Sequence, residues 1–195
     1  MAVTQSNIVD KAKLCIDETL TDNNSFNASY LPVADFVNEA VRWVIDSVPI
    51  KALGVGSPVD NSTPTNGVAT FNNIAGRFLW AKGGGWNRVV SSFIYDDNPR
   101  CAQLNDPIFG ASTTRPVVVI NQGGITIELH KVSGKSQIGI MPYGALGGVW
   151  TYLPGEFLDI IVWRTAELVL SAISDVNGAA VCANKVVEHL ESFQR

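Results

Sequence analysis

The chain has 195 residues, 46% hydrophobic and 16% charged, enough apolar content for one folded core with or without an appendage and too much for a disordered tail. Fourteen Lys and Arg against eighteen Asp and Glu give a formal charge of −4, whereas gripping phosphates without regard to sequence needs a net basic face. Typical soluble domains are about 25% charged, so a chain this poor in charge is expected to bury surface against other chains.

The N-terminal part reads as helical. Ile8, Ala12, Cys15, Ile16 and Leu20 recur at three- and four-residue steps, with Thr4 or Ser6 available as cap. Thr21-Asp22-Asn23-Asn24-Ser25 then makes a polar loop. Pro32 opens a second helix, in which Phe36, Val37, Ala40, Val41, Val44, Ile45 and Val48 form a wide apolar stripe. Asp35, Glu39, Arg42 and Asp46 take the opposite side and Pro49 closes the segment. The short link between the two helices predicts an antiparallel hairpin.

Periodicity lapses over residues 51–73, where Gly54, Gly56, Pro58, Pro64 and Gly67 describe a long loop. Beyond it the period becomes two. Residues 77–80 and 89–95 read as strands with Gly83-Gly84-Gly85 between them, and Asp96-Asp97-Asn98-Pro99 as a turn. Residues 116–120 and 125–130 around Gly123-Gly124 make the best hairpin, and residues 137–141 a further strand. Helical spacing returns at Pro154: Phe157, Leu158, Ile161, Val162, Thr165, Leu168, Val169 and Ala172 share a face. Asp175-Val176-Asn177-Gly178 breaks that helix. Ala179, Ala183, Val186, Val187, Leu190 and Phe193 then predict a last one. The fold class expected is α+β. Residues 1–50 and 154–195 form a helical bundle, and residues 51–153 an inserted antiparallel β-sheet or sandwich.

Charge is unevenly placed. Residues 1–60 carry eight acids and four bases, residues 61–153 four acids and seven bases, and residues 154–195 six acids and three bases. Such a split arises by chance or marks complementary faces of neighbouring subunits. Cys15, Cys101 and Cys182 are far apart, odd in number and in no CxxC pair, which argues against a disulfide framework or zinc site. No secretory signal or membrane span is expected. The sequons at Asn27 and Asn61 read as coincidence.

A catalytic constellation needs a polarised nucleophile, a base within reach and a stabiliser of developing charge. His130 and His189 sit in no HExxH or other ligand spacing, and no GxSxG elbow is present. Asp96-Asp97 is turn chemistry. Gly83-Gly84-Gly85 lacks the Lys-Ser/Thr of a phosphate loop, Gly54-Val55-Gly56 lacks the remaining dinucleotide glycine, and residues 144–148 read as a flexible connection. No catalytic, cofactor or metal residue is assigned, and an enzyme is not expected. Trp80, Trp86, Trp150 and Trp163, with Tyr95, Tyr143 and Tyr152, suggest either core and interface packing or a sugar-stacking platform.

The order helical hairpin, twisted β insertion, closing helices resembles the head–tail adaptor (tail-tubular or gatekeeper) ring proteins of short-tailed bacteriophages, the neck ring proteins of crAss-like phages among them. The residues that carry the likeness are Leu31-Pro32, Phe36-Val37-Asn38-Glu39-Ala40-Val41-Arg42, Val48-Pro49, Trp86-Asn87-Arg88-Val89 and Val162-Trp163-Arg164-Thr165-Ala166-Glu167. It spans most of the chain as a pattern of element order and apolar positions rather than a catalytic string. The loop at 51–73 and the glycine-rich connections depart from a compact version.

The resemblance implies a non-enzymatic virion protein. It would be a subunit of a dodecameric collar below the portal, joining it to further neck or tail rings, with DNA passing through the channel without specific binding. Localisation would be the neck of the virion, and the host cytoplasm during assembly. The helical part would form the ring body beside the portal, and the β region and its loops the ring-to-ring and downstream contacts. The alternative is a β-sandwich module that recognises a glycan or receptor through exposed aromatics.

Overall fold

The computed structural model describes residues 3–19, 31–61, 63–121 and 123–193. The protein is α+β and divides into two compact units, Met1–Gly54 with Tyr143–Arg195, and Val55–Pro142. The helical unit therefore extends further than expected at both boundaries: residues 51–54 and 143–153, expected in the β insertion, belong to it.

The helical unit contains β1 (Val3–Thr4), α1 (Gln5–Thr19), α2 (Val33–Ser47), β9 (Val149–Trp150), α3 (Leu158–Ala172) and α4 (Val176–Phe193). Its centre is α3, which packs against α1, α2 and α4. Eight residues of α3 are buried, from Leu158 and Ile160 to Val169 and Leu170; a helix apolar on nearly all sides is stable only when surrounded. Thr165 is the one polar residue among them, and its hydroxyl donates to the Ile161 carbonyl at 2.7 Å. The caps follow from sequence. The Thr4 hydroxyl accepts the Asn7 N–H at 3.2 Å at the start of α1, and the Asp175 carboxylate accepts the Gly178 N–H at 3.0 Å at the start of α4. Asp175, expected to break a helix, thus also starts one. In α2 the expected stripe is buried at Val37, Ala40, Val41, Val44 and Ile45, with Val48 just past the helix, while Phe36 is only half-buried and Val33, not expected, is buried. On α4 Val187, expected on the apolar face, is 53% exposed. The two-residue strands β1 and β9 pair antiparallel, an element that periodicity did not announce. Leu20, the polar loop at residues 21–25 and the sequon at Asn27 lie outside the described residues.

The β unit contains β2 (Ser57–Asn61), β3 (Val68–Phe71), β4 (Gly76–Lys82), β5 (Ile94–Tyr95), β6 (Val117–Ile120), β7 (Ile127–His130) and β8 (Ser136–Pro142). They form a three-stranded sheet in the order β2-β8-β4 and a four-stranded sheet in the order β3-β7-β6-β5. Both sheets contribute to one core, with Phe78, Ala81, Ile138 and Ile140 from the first and Ala69, Phe71, Val118, Ile127 and Leu129 from the second. Phe78, Phe93 and Tyr95 extend it as two edge-to-face ring pairs, 5.7 and 5.3 Å between centroids.

The stretch 51–73 is not a long loop: a 3₁₀ turn at Ile50–Leu53 leads into β2 and β3. Residues 89–95 are not one strand, because Ser91 and Ser92 are exposed and only Val90 (bridged to Ala81) and β5 pair. The insertion is not wholly antiparallel, since β5 runs parallel to β6. The hairpin of β6 and β7 is antiparallel, with Val117 opposite His130.

Candidate functional site

The residues that chemistry would need lie apart. His130 ends β7 in the β unit and His189 lies on α4. Burial lowers the His130 pKa below 6.5, opposed by the Glu128 carboxylate, whose Oε2 lies 3.4 Å from His130 Nε2. Burial also pushes the Cys15 thiol up to about 11 and raises the Cys101 and Cys182 thiols, so all three are protonated near neutrality. Among the described residues no group of His, Cys, Asp and Glu is placed to hold a metal ion, and no helix is long and apolar enough to cross a membrane.

Most of the indoles belong to the scaffold. Trp86 is buried and donates to the His130 and Lys131 carbonyls at 3.1 and 3.2 Å. Trp150, also buried, donates to the Tyr143 carbonyl at 3.0 Å. Trp80 donates to the Val55 carbonyl at 2.8 Å and lies against Gly139, where a Cβ would strike its ring. Trp43 lies beneath the Arg164 guanidinium at 4.6 Å, and Arg164 is held in turn by Glu167 at 2.6 Å. Of the tyrosines, Tyr95 and Tyr152 are about half exposed, one in each unit.

Two open clefts are polar. In the helical unit a cleft of about 450 Å³ is lined by Gln5, Asn38, Arg42, Tyr143, Gly144 and Gly148. Its cation is already engaged: Arg42 sits 5.0 Å over the Tyr143 ring and 4.0 Å from Asp46, and the Tyr143 hydroxyl donates to Asp46 at 2.8 Å. In the β unit a cleft of about 380 Å³ lies between β2 and β3, beside Asp60, Asn61, Thr63 and Thr70. Asp60 there accepts from Gln137 at 2.8 Å and pairs with Lys135 at 3.2 Å.

What the fold displays is apolar side chains and charge. The β unit exposes Ile108 and Phe109, the latter 71% exposed, at a turn built by Asp106, whose Oδ1 accepts the Ile108 and Phe109 N–H groups at 2.7 and 2.8 Å. These two bonds hold the Asp106 carboxyl below its usual range. The helical unit exposes Leu14 on α1 and Val176, Val181 and Val187 on α4. Seven Lys and Arg stand against thirteen Asp and Glu in the helical unit, a net −6, and seven against five in the β unit, a net +2. Sequence reasoning found the asymmetry in coarser blocks. It missed the Ile108-Phe109 tip, which no periodicity marks.

Three exposed cations lie on or beside two loops of the β unit that meet. The Ser133 N–H donates to the Gly84 carbonyl at 2.9 Å, and the Gly84 N–H to the Ser136 hydroxyl at 3.0 Å. Gly84 is required there, because a Cβ would lie 2.5 Å from the Gly134 backbone. Lys82, Arg88, Val89 and Lys131 stand exposed around this junction. Comparison with family models and with curated proteins finds no match for this chain.

Proposed function

We propose that the chain is a structural subunit of a closed ring in the head-to-tail connector of a short-tailed bacteriophage, joining the portal to the tail around the DNA channel. The observation that carries the reading is that each unit exposes its own set of large apolar side chains: Leu14, Val176 and Val187 on the helical unit, Val89, Ile108 and Phe109 on the β unit. A ring needs two different, complementary patches per subunit, because each copy contacts its neighbours head to tail. A single self-complementary patch would give a two-fold dimer instead. The helical unit suits the ring body, since α3 is enclosed by three helices. The β unit, with its turn at Asp106 and its loop junction at Gly84, suits contacts to neighbouring rings.

Sedimentation of the purified protein across concentration tests the reading. Particles of many copies with one discrete size are expected. A monomer at every concentration, with saturable quenching of Trp fluorescence by a sugar, would replace it with the glycan-binding module.

A further inference from the structure

We infer that neighbouring copies meet through the Gly84 loop junction of one copy's β unit and the outer face of α1 of the next, a pairing that rests on the ring reading and specifies its contact. The β-unit surface is rigid and basic. Its two loops, residues 83–90 and 131–136, are tied by the Gly84–Ser133 and Gly84–Ser136 hydrogen bonds and by the Trp86 indole on the His130 and Lys131 carbonyls. Neither loop contains an Asp or Glu. Lys82, Arg88 and Lys131 are exposed and form no ion pair among the described residues, whereas Lys135 is taken by Asp60. Val89, 55% exposed, follows Arg88 and precedes Val90, which bridges Ala81 beside Lys82.

The outer face of α1 has the opposite pattern. Leu14 is 63% exposed, and Asp10, Asp17 and Glu18 lie four residues before it and three and four after it, so all three adjoin it on the helix surface. None of these carboxylates forms an ion pair among the described residues; the nearby Lys11 is held by Asp159 at 3.3 Å. An exposed apolar side chain adjoined by three anions thus matches an exposed one on a junction whose cations, like those anions, form no ion pair among the described residues. Such matching supplies register and suppresses like-to-like contact, because two basic junctions repel each other. The exposed valines of α4 match less well: Glu188 beside them is already paired with Lys185 at 2.9 Å. A polyanion is the other class of molecule that a basic surface takes, but it would leave the acidic α1 face unused, and the net charge of −4 opposes it.

The test is charge reversal on each face, read by sedimentation at about 0.1 M and about 1 M salt, where the screening length falls from ~10 to ~3 Å. Asp17→Arg with Asp10→Lys, and separately Arg88→Glu with Lys131→Glu, are each expected to weaken association roughly a hundredfold at low salt. Combining all four reversals is expected to restore it. Circular dichroism should show every variant folded, since all four side chains are exposed. Wild-type assembly that ignores both single-face reversals overturns this contact and leaves the ring reading standing. A wild type that stays monomeric overturns both. Loss of duplex DNA binding on reversal of Arg88 and Lys131, with assembly unchanged, would reassign the junction to a polyanion and overturn the contact.

Discussion

The two units reach stability by different routes. In the helical unit one helix does most of the work: α3 is buried along its length and three other helices close around it, so stability resides in apolar area that any close-packed set of similar volumes could supply. The β unit has short strands, several of only two to five residues, and depends on particular close approaches: Trp80 on Gly139, Gly84 on Gly134, the Trp86 indole on two carbonyls. The first kind of structure tolerates changes on its outer surface. The second exposes rigid loops at defined positions, which is what a docking surface requires. The helical unit thus rests on pooled apolar burial and the β unit on individual close approaches, and the changes below probe each in turn.

The largest effects fall on the two cores. Phe157 is fully buried and packs 4.8 Å from Phe193, so Phe157→Ala should cost about 3–5 kcal/mol, read in denaturant unfolding of the helical circular-dichroism signal. Trp86→Ala should cost a similar ~3–5 kcal/mol in the β unit, read by amide exchange in β7 and β8. An unchanged exchange pattern would remove Trp86 from the core. Next in size is Gly84→Ala. The added Cβ meets backbone at Gly134 that cannot swing away, so about 1–3 kcal/mol is expected, with faster exchange confined to residues 83–90 and 131–136. Equal stability would mean that the two loops are free to part.

A smaller effect is pH-dependent. Because burial lowers the His130 pKa in the folded chain, the unfolded chain takes up that proton first as pH falls. Stability from this group is therefore full above 6.5 and declines below it. His130→Gln should flatten the fall in thermal midpoint between about pH 7.5 and about pH 5.5. A slope that persists in the variant would place its origin elsewhere. The smallest effect is expected at Lys185, whose pair with Glu188 is exposed on α4. Lys185→Ala should shift stability by no more than ~0.5 kcal/mol, and a larger loss would show that the outer face of α4 is covered.

What was legible in the sequence follows the same division. The α2 stripe, the run of α3 and the hairpin of β6 and β7 repeat over several turns or several residue pairs, and local periodicity reveals them. The strands β2 and β3 did not show, because both are short edge strands whose pairing partners lie far along the chain. Pro58 is tolerated in β2 only because it sits at such an edge, yet in sequence it reads as a breaker. The cations of the candidate surface were visible singly. That the loops bearing Arg88 and Lys131 meet depends on contacts between residues about fifty apart, such as Gly84 with Ser133. The same holds for α1, where the spacing of Asp10, Leu14, Asp17 and Glu18 is local but its exposure is decided by what covers the other side.

The most direct trial of the account is electron microscopy of the purified chain, alone and mixed with a portal ring. The account predicts closed rings of discrete size that stack coaxially on the portal. Solitary particles in both samples, with no density added to the portal, would contradict it.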